Sequence, residues 1–428
     1  MKIVNIVPGF GGRFYCGNCL RDTAFVGSLR QAGHDAIILP VYLPLVMDGK
    51  EPQGDLPVFY GAVNIYLKQQ FPFLRKMPSW MEHALNSSPI LKLASRKAGS
   101  TRAHGMEELT ESMLLGDQGF QRAELKELVT FLKTHEKPDI VHFSNALLLG
   151  MAKVIKEELR IPVVCSLQDE DVWVDAMTGE HREKIWQILT EKARDIDAFI
   201  AVSDFYARRM TEMLSVPSEK MHVIHIGIKP DLYTYSTPAS DPPAIGFLSR
   251  TSEENGFGIL VDAFIRLKSE SRLSNLQLHY SGGMTSDDRK FIQNQMKKLR
   301  DKDLFRYTRH FADFSLGALS GFFRSISVLS VPVLKGEAFG LYQLEAMASG
   351  IPLVQPDLGA FREIIDATGG GVVYHPNHPD ALAATLAEVL TDEKKLLKMS
   401  KAGHESVQEK FDCAKLTRKM IGIYQQIQ

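Results

Sequence analysis

Apolar positions along this chain follow two alternating periods. Short runs that are apolar at nearly every position recur at 2–7, 36–41, 139–143, 162–167, 198–202 and 222–226. Between them, at about 20–31, 124–135, 147–159, 182–194 and 204–214, apolar residues return every third or fourth position. The first pattern predicts strands covered on both faces, and the second predicts amphipathic helices. Ser203 stands where it can cap the helix that follows it. Strand and helix in regular alternation predict an α/β fold built on a parallel sheet.

The alternation stops once and then restarts. Residues 229–244 read KPDLYTYSTPASDPPA, four prolines in a stretch of low hydrophobicity, which predicts an interdomain linker. Beyond it, strands are predicted at 244–248, 277–281, about 307–311, 326–333, 352–355 and 372–374. Helices are predicted at 257–268, 287–299, 316–324, 360–365, 379–390, 393–408 and 414–427, the last with Leu416, Met420, Ile421 and Tyr424 on one face. A chain of 428 residues exceeds a single core. The expectation is two doubly wound, Rossmann-like domains, 1–235 and 236–412, facing across a cleft at their carboxyl-terminal strand edges. The helix at 413–428 is expected to pack back on the first domain.

Charge and cysteine content narrow the classes. With 50 basic and 51 acidic residues there is no basis for nucleic-acid binding. No run of about 18 or more apolar residues predicts a transmembrane helix. The apolar start is too short for a signal-peptide core and reads as the first strand. Four cysteines, Cys16, Cys19, Cys165 and Cys413, are too few for a disulfide framework and fit a cytoplasmic protein. Cys16 and Cys19 have the spacing of a redox pair or half a zinc site, and equally of small residues packed against a cleft. No second ligand pair lies nearby, so no metal is expected. Residues 68–102 carry Lys68, Arg75, Lys76, Lys92, Arg96, Lys97 and Arg102 against Glu82, interleaved with aromatic residues. That is either a solvated basic face over ordinary core or a surface for an anionic acceptor, with peripheral contact to the inner face of a membrane.

The candidate chemistry gathers in residues 331–350, VPVLKGEAFGLYQLEAMASG. An apolar run leads into the loop Lys335-Gly336-Glu337, and a helix is predicted from near Gly340 to Ser349. Such a junction aims backbone N–H groups at an anion. Glu337 and Glu345 flank it, and carboxylates suit hydroxyls rather than bare phosphate. Phosphate and hydroxyls together describe a nucleotide-sugar. The turn at Gly9, Gly11 and Gly12 lacks the last glycine of a dinucleotide fingerprint and is either a tight turn or a phosphate contact. His142 and the run Gln168-Asp169-Glu170-Asp171 fall at carboxyl ends of strands, where doubly wound folds bind ligands.

The motif Glu337-Ala-Phe-Gly-Leu-Tyr-Gln-Leu-Glu345, continuing Ala-Met-Ala-Ser-Gly350-Ile-Pro-Leu-Val, resembles that of retaining GT-B-fold glycosyltransferases, closest to family 4 (glycosyl transferases group 1). Pro138-Asp-Ile-Val-His142, Ala201-Val-Ser203, Ser249-Arg250 and the HPNHPDA stretch at 375–381 support it in order and spacing. The similarity spans most of the chain and weakens between about 43 and 136. It implies that Glu345 binds the ribose hydroxyls and Glu337 the donor sugar. Backbone N–H groups of Phe339, Gly340 and Leu341 would lie near the sugar and diphosphate, and Arg250 would stabilise the diphosphate. Gly11 and Gly12 would let the first domain's backbone approach the same phosphates. The family retains anomeric configuration by front-face attack, the leaving phosphate taking the acceptor proton, and needs neither metal nor cofactor.

Three positions depart from that pattern. Asn255 stands where the family usually has a lysine, and Lys335 is a candidate substitute. Only His142 represents a usual histidine pair, and it is grouped with Glu337 and Arg250 as catalytic. Gln168 replaces a common histidine and, with Asp169 and Asp171, is assigned to acceptor binding. The expectation is therefore a metal-independent, retaining hexosyltransferase-like enzyme acting on a nucleotide-diphosphate sugar and a sugar, lipid or small-molecule acceptor. The alternatives are a catalytically weak nucleotide-sugar-binding relative and an epimerase or phosphorylase on the same fold.

Overall fold

The computed structural model of the protein describes residues 1–9, 14–42, 105–239 and 241–428. Gly11, Gly12 and the basic stretch 68–102 lie outside the described residues. The chain forms two compact units. Among the described residues, the first comprises 1–9, 18–42, 105–225 and 416–428, and the second 14–17, 226–239 and 241–415. The switch from one unit to the other falls at His225–Ile226, so residues 226–235, which the linker composition groups with the first domain, cluster with the second.

In the first unit, β1 (Lys2–Val7), α1 (Gly17–Gln31) and β2 (Asp35–Pro40) open the fold. They are followed by α2 (Glu107–Leu114), α3 (Arg122–Phe131), β3 (Ile140–Phe143), α4 (Ala152–Leu159) and β4 (Val163–Leu167). Then come α5 (Glu170–Asp175), α6 (Gly179–Lys192), β5 (Ala198–Ala201), α7 (Asp204–Leu214) and β6 (Met221–Val223). The strands form a parallel sheet in the order β2-β1-β3-β4-β5-β6. β3, β4 and β5 are buried at every position, as a sheet covered on both faces requires. Ser203 caps α7, its hydroxyl accepting from the Tyr206 N–H at 3.1 Å.

The second unit holds β7 (Ala244–Leu248), α8 (Phe257–Leu267), β8 (Gln277–Ser281), α9 (Arg289–Asp301), β9 (Thr308–Phe311), α10 (Leu316–Arg324) and β10 (Val328–Leu329). It continues with α11 (Leu341–Ala348), β11 (Leu353–Pro356), α12 (Phe361–Thr368), β12 (Gly371–Tyr374), α13 (Pro379–Thr391) and α14 (Glu393–Lys410). Its parallel sheet runs β12-β11-β10-β7-β8-β9. Numbered within the unit, that is the Rossmann order 3-2-1-4-5-6, so the connections after β7 and β10 leave toward opposite sides of the sheet. The last helix, α15 (Cys413–Ile427), places Leu416, Met420 and Tyr424 in the core of the first unit, with Ile3, Val7, Ile140, Val164 and Ile200.

Three elements differ from expectation. The apolar run 326–333 pairs as a strand only at Val328–Leu329. Past Ser330 its backbone turns to other partners: the Val331 N–H donates to Gln355 Oε1 at 2.9 Å and the Leu334 N–H to Glu254 O at 3.0 Å. α1 begins at Gly17 rather than near 20, and beyond the strand that ends at 167 residues 170–175, for which no element was expected, form α5.

Candidate functional site

The point where strand order reverses in the second sheet lies between β7 and β10. Open α/β sheets bind ligands beyond the carboxyl ends of such strands. Ser249 and Arg250 follow β7 there, and the loop carrying Lys335 and Glu337 follows β10. This loop must turn sharply into α11, and it does so at Gly340, whose φ of 81° is a left-handed conformation that glycine adopts without strain. A Cβ at Gly340 would stand 2.8 Å from Glu337 Oε2, so the missing side chain also makes room for that carboxylate. The Glu337 carbonyl accepts from the Ala360 N–H at 3.0 Å, which anchors the loop from below. Buried Gln343 reaches back to the Phe339 carbonyl. Phe339 and Leu341 are buried at the helix start, while Lys335 is exposed.

Glu345, one turn into α11, is only 1% exposed. Its Oε2 accepts from the Tyr15 hydroxyl at 2.6 Å and its Oε1 from the Tyr233 hydroxyl at 2.7 Å. Burial pushes its pKa up to about 7, against the opposing pull of the two hydroxyls. The same burial and the facing carboxylate hold both tyrosines protonated.

Arg250 stands between two acids, 3.2 Å from Glu254 and 3.8 Å from the buried Asp288. Asn255 is engaged within its own turn. Its amide nitrogen donates to Ser249 Oγ at 2.6 Å and to the Arg250 carbonyl at 3.1 Å, so both N–H groups brace the turn after β7. Gly256 follows with φ 78°, where a Cβ would fall 1.8 Å from the Pro332 carbonyl oxygen. That contact packs the β7–α8 turn directly onto the segment leaving β10.

The residues assigned to the first unit lie differently. His142 is buried, with Nδ1 hydrogen-bonded to the Tyr424 hydroxyl and Nε2 to Ser166 Oγ at 2.8 Å. Burial, with Arg21 adding to it, lowers its pKa to about 3, so it is neutral and has no ring nitrogen left for a reactant. Through Tyr424 it ties β3 to α15. Gln168 is buried, and its Oε1 accepts from Arg21 at 2.6 Å. Asp171 is held by Arg209 at 2.7 Å and by the Tyr206 hydroxyl at 2.9 Å, and Asp169 adopts a left-handed φ of 59° at the start of α5.

Four residues at these sites went unread in the sequence. Tyr15 and Tyr233 are the partners of Glu345. Arg21 ties the carboxyl end of β3, through the Ser144 carbonyl, to Gln168, and Asp22 pairs with it at 2.6 Å. A signal was present for the last two, because an Arg-Asp pair in the first turns of a helix after a sheet's leading strand is poised over that strand's end. Tyr15 in a glycine turn and Tyr233 in a linker carried none.

Residues 111–232 match the family model for Glycosyltransferase Family 4, and residues 235–406 match that for Glycosyl transferases group 1. An uncharacterised glycosyltransferase from Methanocaldococcus jannaschii is 22% identical over 304 residues, 68% of this chain and 75% of that protein. MMP alpha-(1->4)-mannosyltransferase from Mycolicibacterium hassiacum is 25% identical over 299 residues, 67% of this chain and 70% of its own. Among solved structures, sucrose-phosphate synthase from Thermosynechococcus elongatus superposes with a TM-score of 0.71 at 15% identity, covering 100% of this chain and 99% of that one. HepE from Anabaena, solved with UDP, gives a TM-score of 0.69 at 15% identity over 100% of both chains. Two consecutive family matches, glycosyltransferase relatives and a shared two-sheet architecture make this chain a glycosyltransferase of the group 1/family 4 kind with the GT-B fold.

Proposed function

We propose that the protein transfers a sugar from a nucleotide-diphosphate sugar to an acceptor hydroxyl, with retention of anomeric configuration and without a metal. The observation that carries this reading is the paired-glutamate loop and helix start, Glu337 to Glu345, at the switch point of the second sheet. Neighbours of the fold have been solved with UDP, with UDP-glucose and with ADP, which supports a nucleotide-sugar donor and leaves the base open.

In this scheme Glu345 accepts the ribose hydroxyls and Glu337 those of the sugar. The N–H groups at the start of α11 and the guanidinium of Arg250 face the diphosphate, where negative charge grows in the transition state. The acceptor oxygen bonds to the anomeric carbon on the face the diphosphate leaves. The bond from that carbon to the phosphate oxygen breaks, its electron pair stays on the diphosphate, and the acceptor proton passes to the departing oxygen. Gly11 and Gly12 are assigned to the same diphosphate on the resemblance alone. With Asn255 engaged in the turn, Lys335 is proposed to supply the positive charge that the family's usual lysine would bring. Gln168, with Arg21 behind it, and Asp169 are proposed for the acceptor side, and His142 is proposed as structural.

The test is to incubate the protein with UDP-, ADP- and GDP-sugars and a panel of hydroxyl acceptors, following release of the nucleoside diphosphate with and without chelator. Release that depends on both donor and acceptor and survives chelation is expected. Donor binding without turnover would favour a catalytically weak relative, a reading motivated by the thin positive charge around Arg250. Glu345→Gln is expected to weaken nucleoside diphosphate binding by ~1–3 kcal/mol, because a charge-assisted bond to ribose is lost. Glu337→Gln is expected to slow turnover while leaving that affinity nearly intact.

A further inference from the structure

Glu345 has no room for a ribose as it stands. Each of its oxygens already accepts a hydroxyl, from Tyr15 and from Tyr233, and the residue is closed off from solvent. Ribose offers the same chemistry, two neighbouring hydroxyl donors. A nucleotide can therefore reach this carboxylate only if a tyrosine gives up its place.

The two tyrosines are not held alike. Tyr233 follows a short helical turn, Pro230–Leu232, and its neighbourhood is stitched to the end of α11 by the Ser236 N–H donating to the Ser349 carbonyl at 3.0 Å. Tyr15 stands outside both sheets. Its backbone N–H donates to the Gly282 carbonyl at 2.8 Å, beside the isolated bridge of Phe14 to Gly283. From there the segment passes over the start of α11, where a Cβ at Gly17 would touch Leu341 Cβ at 3.4 Å. One short segment thus covers both the ribose carboxylate and the helix start assigned to the diphosphate.

We propose that Tyr15 is a stand-in for a ribose hydroxyl, a latch that closes the donor site in the nucleotide-free chain and that an incoming nucleoside diphosphate displaces from Glu345. The proposal rests on the assignment of Glu345 to the ribose. The bond from Tyr15 to a buried carboxylate stabilises the closed state alone, so every nucleotide must compete with it.

Tyr15→Phe in the full chain tests this. Removing the hydroxyl weakens the closed state and nothing in the bound one, so calorimetric Kd values for UDP, ADP or GDP, whichever binds, are expected to fall about tenfold. The nucleotide-free variant is expected to melt lower than the wild type, with the gap narrowing at saturating nucleotide. An unchanged or higher Kd in a folded Tyr15→Phe variant would overturn the latch. A second readout does not depend on affinity. In protein labelled with 3-fluorotyrosine, the Tyr15 signal, assigned by its loss in Tyr15→Phe, is expected to move to an exposed-tyrosine position as nucleotide saturates. A Tyr15 signal that stays in place at saturation would also overturn it. Glu345→Gln made in the Tyr15→Phe background, where the latch is absent from both proteins compared, separates the two levels. If that change leaves nucleotide affinity untouched, the ribose assignment itself fails. If it weakens binding while Tyr15→Phe does not strengthen it, only the latch fails.

Discussion

A single buried acid, Glu170, shows how the chemistry of one residue becomes a property of the fold. It is 1% exposed at the start of α5, with Oε1 accepting from the Ala146 N–H at 2.9 Å and Oε2 lying 2.8 Å from the Tyr206 hydroxyl. That hydroxyl also lies 2.9 Å from Asp171 Oδ1, and it has one proton for two carboxylates. A proton on Glu170 resolves the conflict, since Glu170 then donates to Tyr206 and Tyr206 to Asp171. Burial drives the Glu170 pKa from 4.5 up to about 7. A raised folded pKa means that the folded state binds the proton more tightly than the unfolded state. The stabilisation is fully present below about pH 4.5 and is lost as pH rises to about 7. Glu345 acts in the same direction over the same window. His142, with its pKa lowered to about 3, acts in the opposite one, costing stability as pH falls below about 6.5. The wild-type profile is therefore a mixture, and the informative quantity is a difference. Relative to wild type, Glu170→Gln is expected to gain stability between about pH 5 and pH 8, on the order of 2–3 kcal/mol. Urea unfolding at several pH values measures it, and a difference that does not change with pH would place the proton elsewhere.

At the scale of elements, patterns local in sequence were readable and partnerships across it were not. β1, β7, β8 and α10 have the bounds that hydrophobic period predicts. The error at 326–333 arose because apolar side chains report burial and not backbone pairing: Val331 and Val333 are buried, yet Asn377 Nδ2 donates to the Val333 carbonyl at 3.0 Å where a ladder was expected. The paired glutamates were visible because their spacing lies within one loop and one helix. Their setting was not, because Tyr15 is 330 residues and Tyr233 is 112 residues from Glu345. No periodicity encodes such distances. The loop and helix do carry a local requirement at Gly340. Gly340→Ala must adopt a left-handed φ at a cost of about 1–2 kcal/mol, and its Cβ must push Glu337 Oε2 away from 2.8 Å. The expected outcome is a lower melting temperature together with donor turnover reduced by about tenfold or more, because the carboxylate proposed to hold the sugar is displaced. Unchanged turnover in the folded variant would remove Glu337 from the sugar.

For the molecule as a whole, chain order and unit order diverge at the C-terminus. α14 ends in the second unit at Lys410, and within a few residues α15 joins the core of the first. There Leu416, Met420 and Tyr424 complete a cluster that includes Ile3, Val26, Leu29, Ile38, Ile140 and Ala198, while the Tyr424 hydroxyl satisfies buried His142. Burying a large apolar side chain contributes roughly 1.5–3 kcal/mol. The three together contribute about 5–9 kcal/mol, comparable with the net stability of about 5–15 kcal/mol typical of a folded protein. Residues 1–225 alone would expose that apolar surface and leave the His142 Nδ1 unpaired in the core. They are expected to be insoluble, or to unfold without a cooperative transition. Joining residues 411–428 after His225 through a flexible linker is expected to restore a single steep urea transition. Within the fused form, Tyr424→Phe is expected to cost ~1–3 kcal/mol, the penalty for a buried polar group left without its partner. Cooperative unfolding of 1–225 at the same midpoint as the fusion would show that the first unit does not depend on its returning helix.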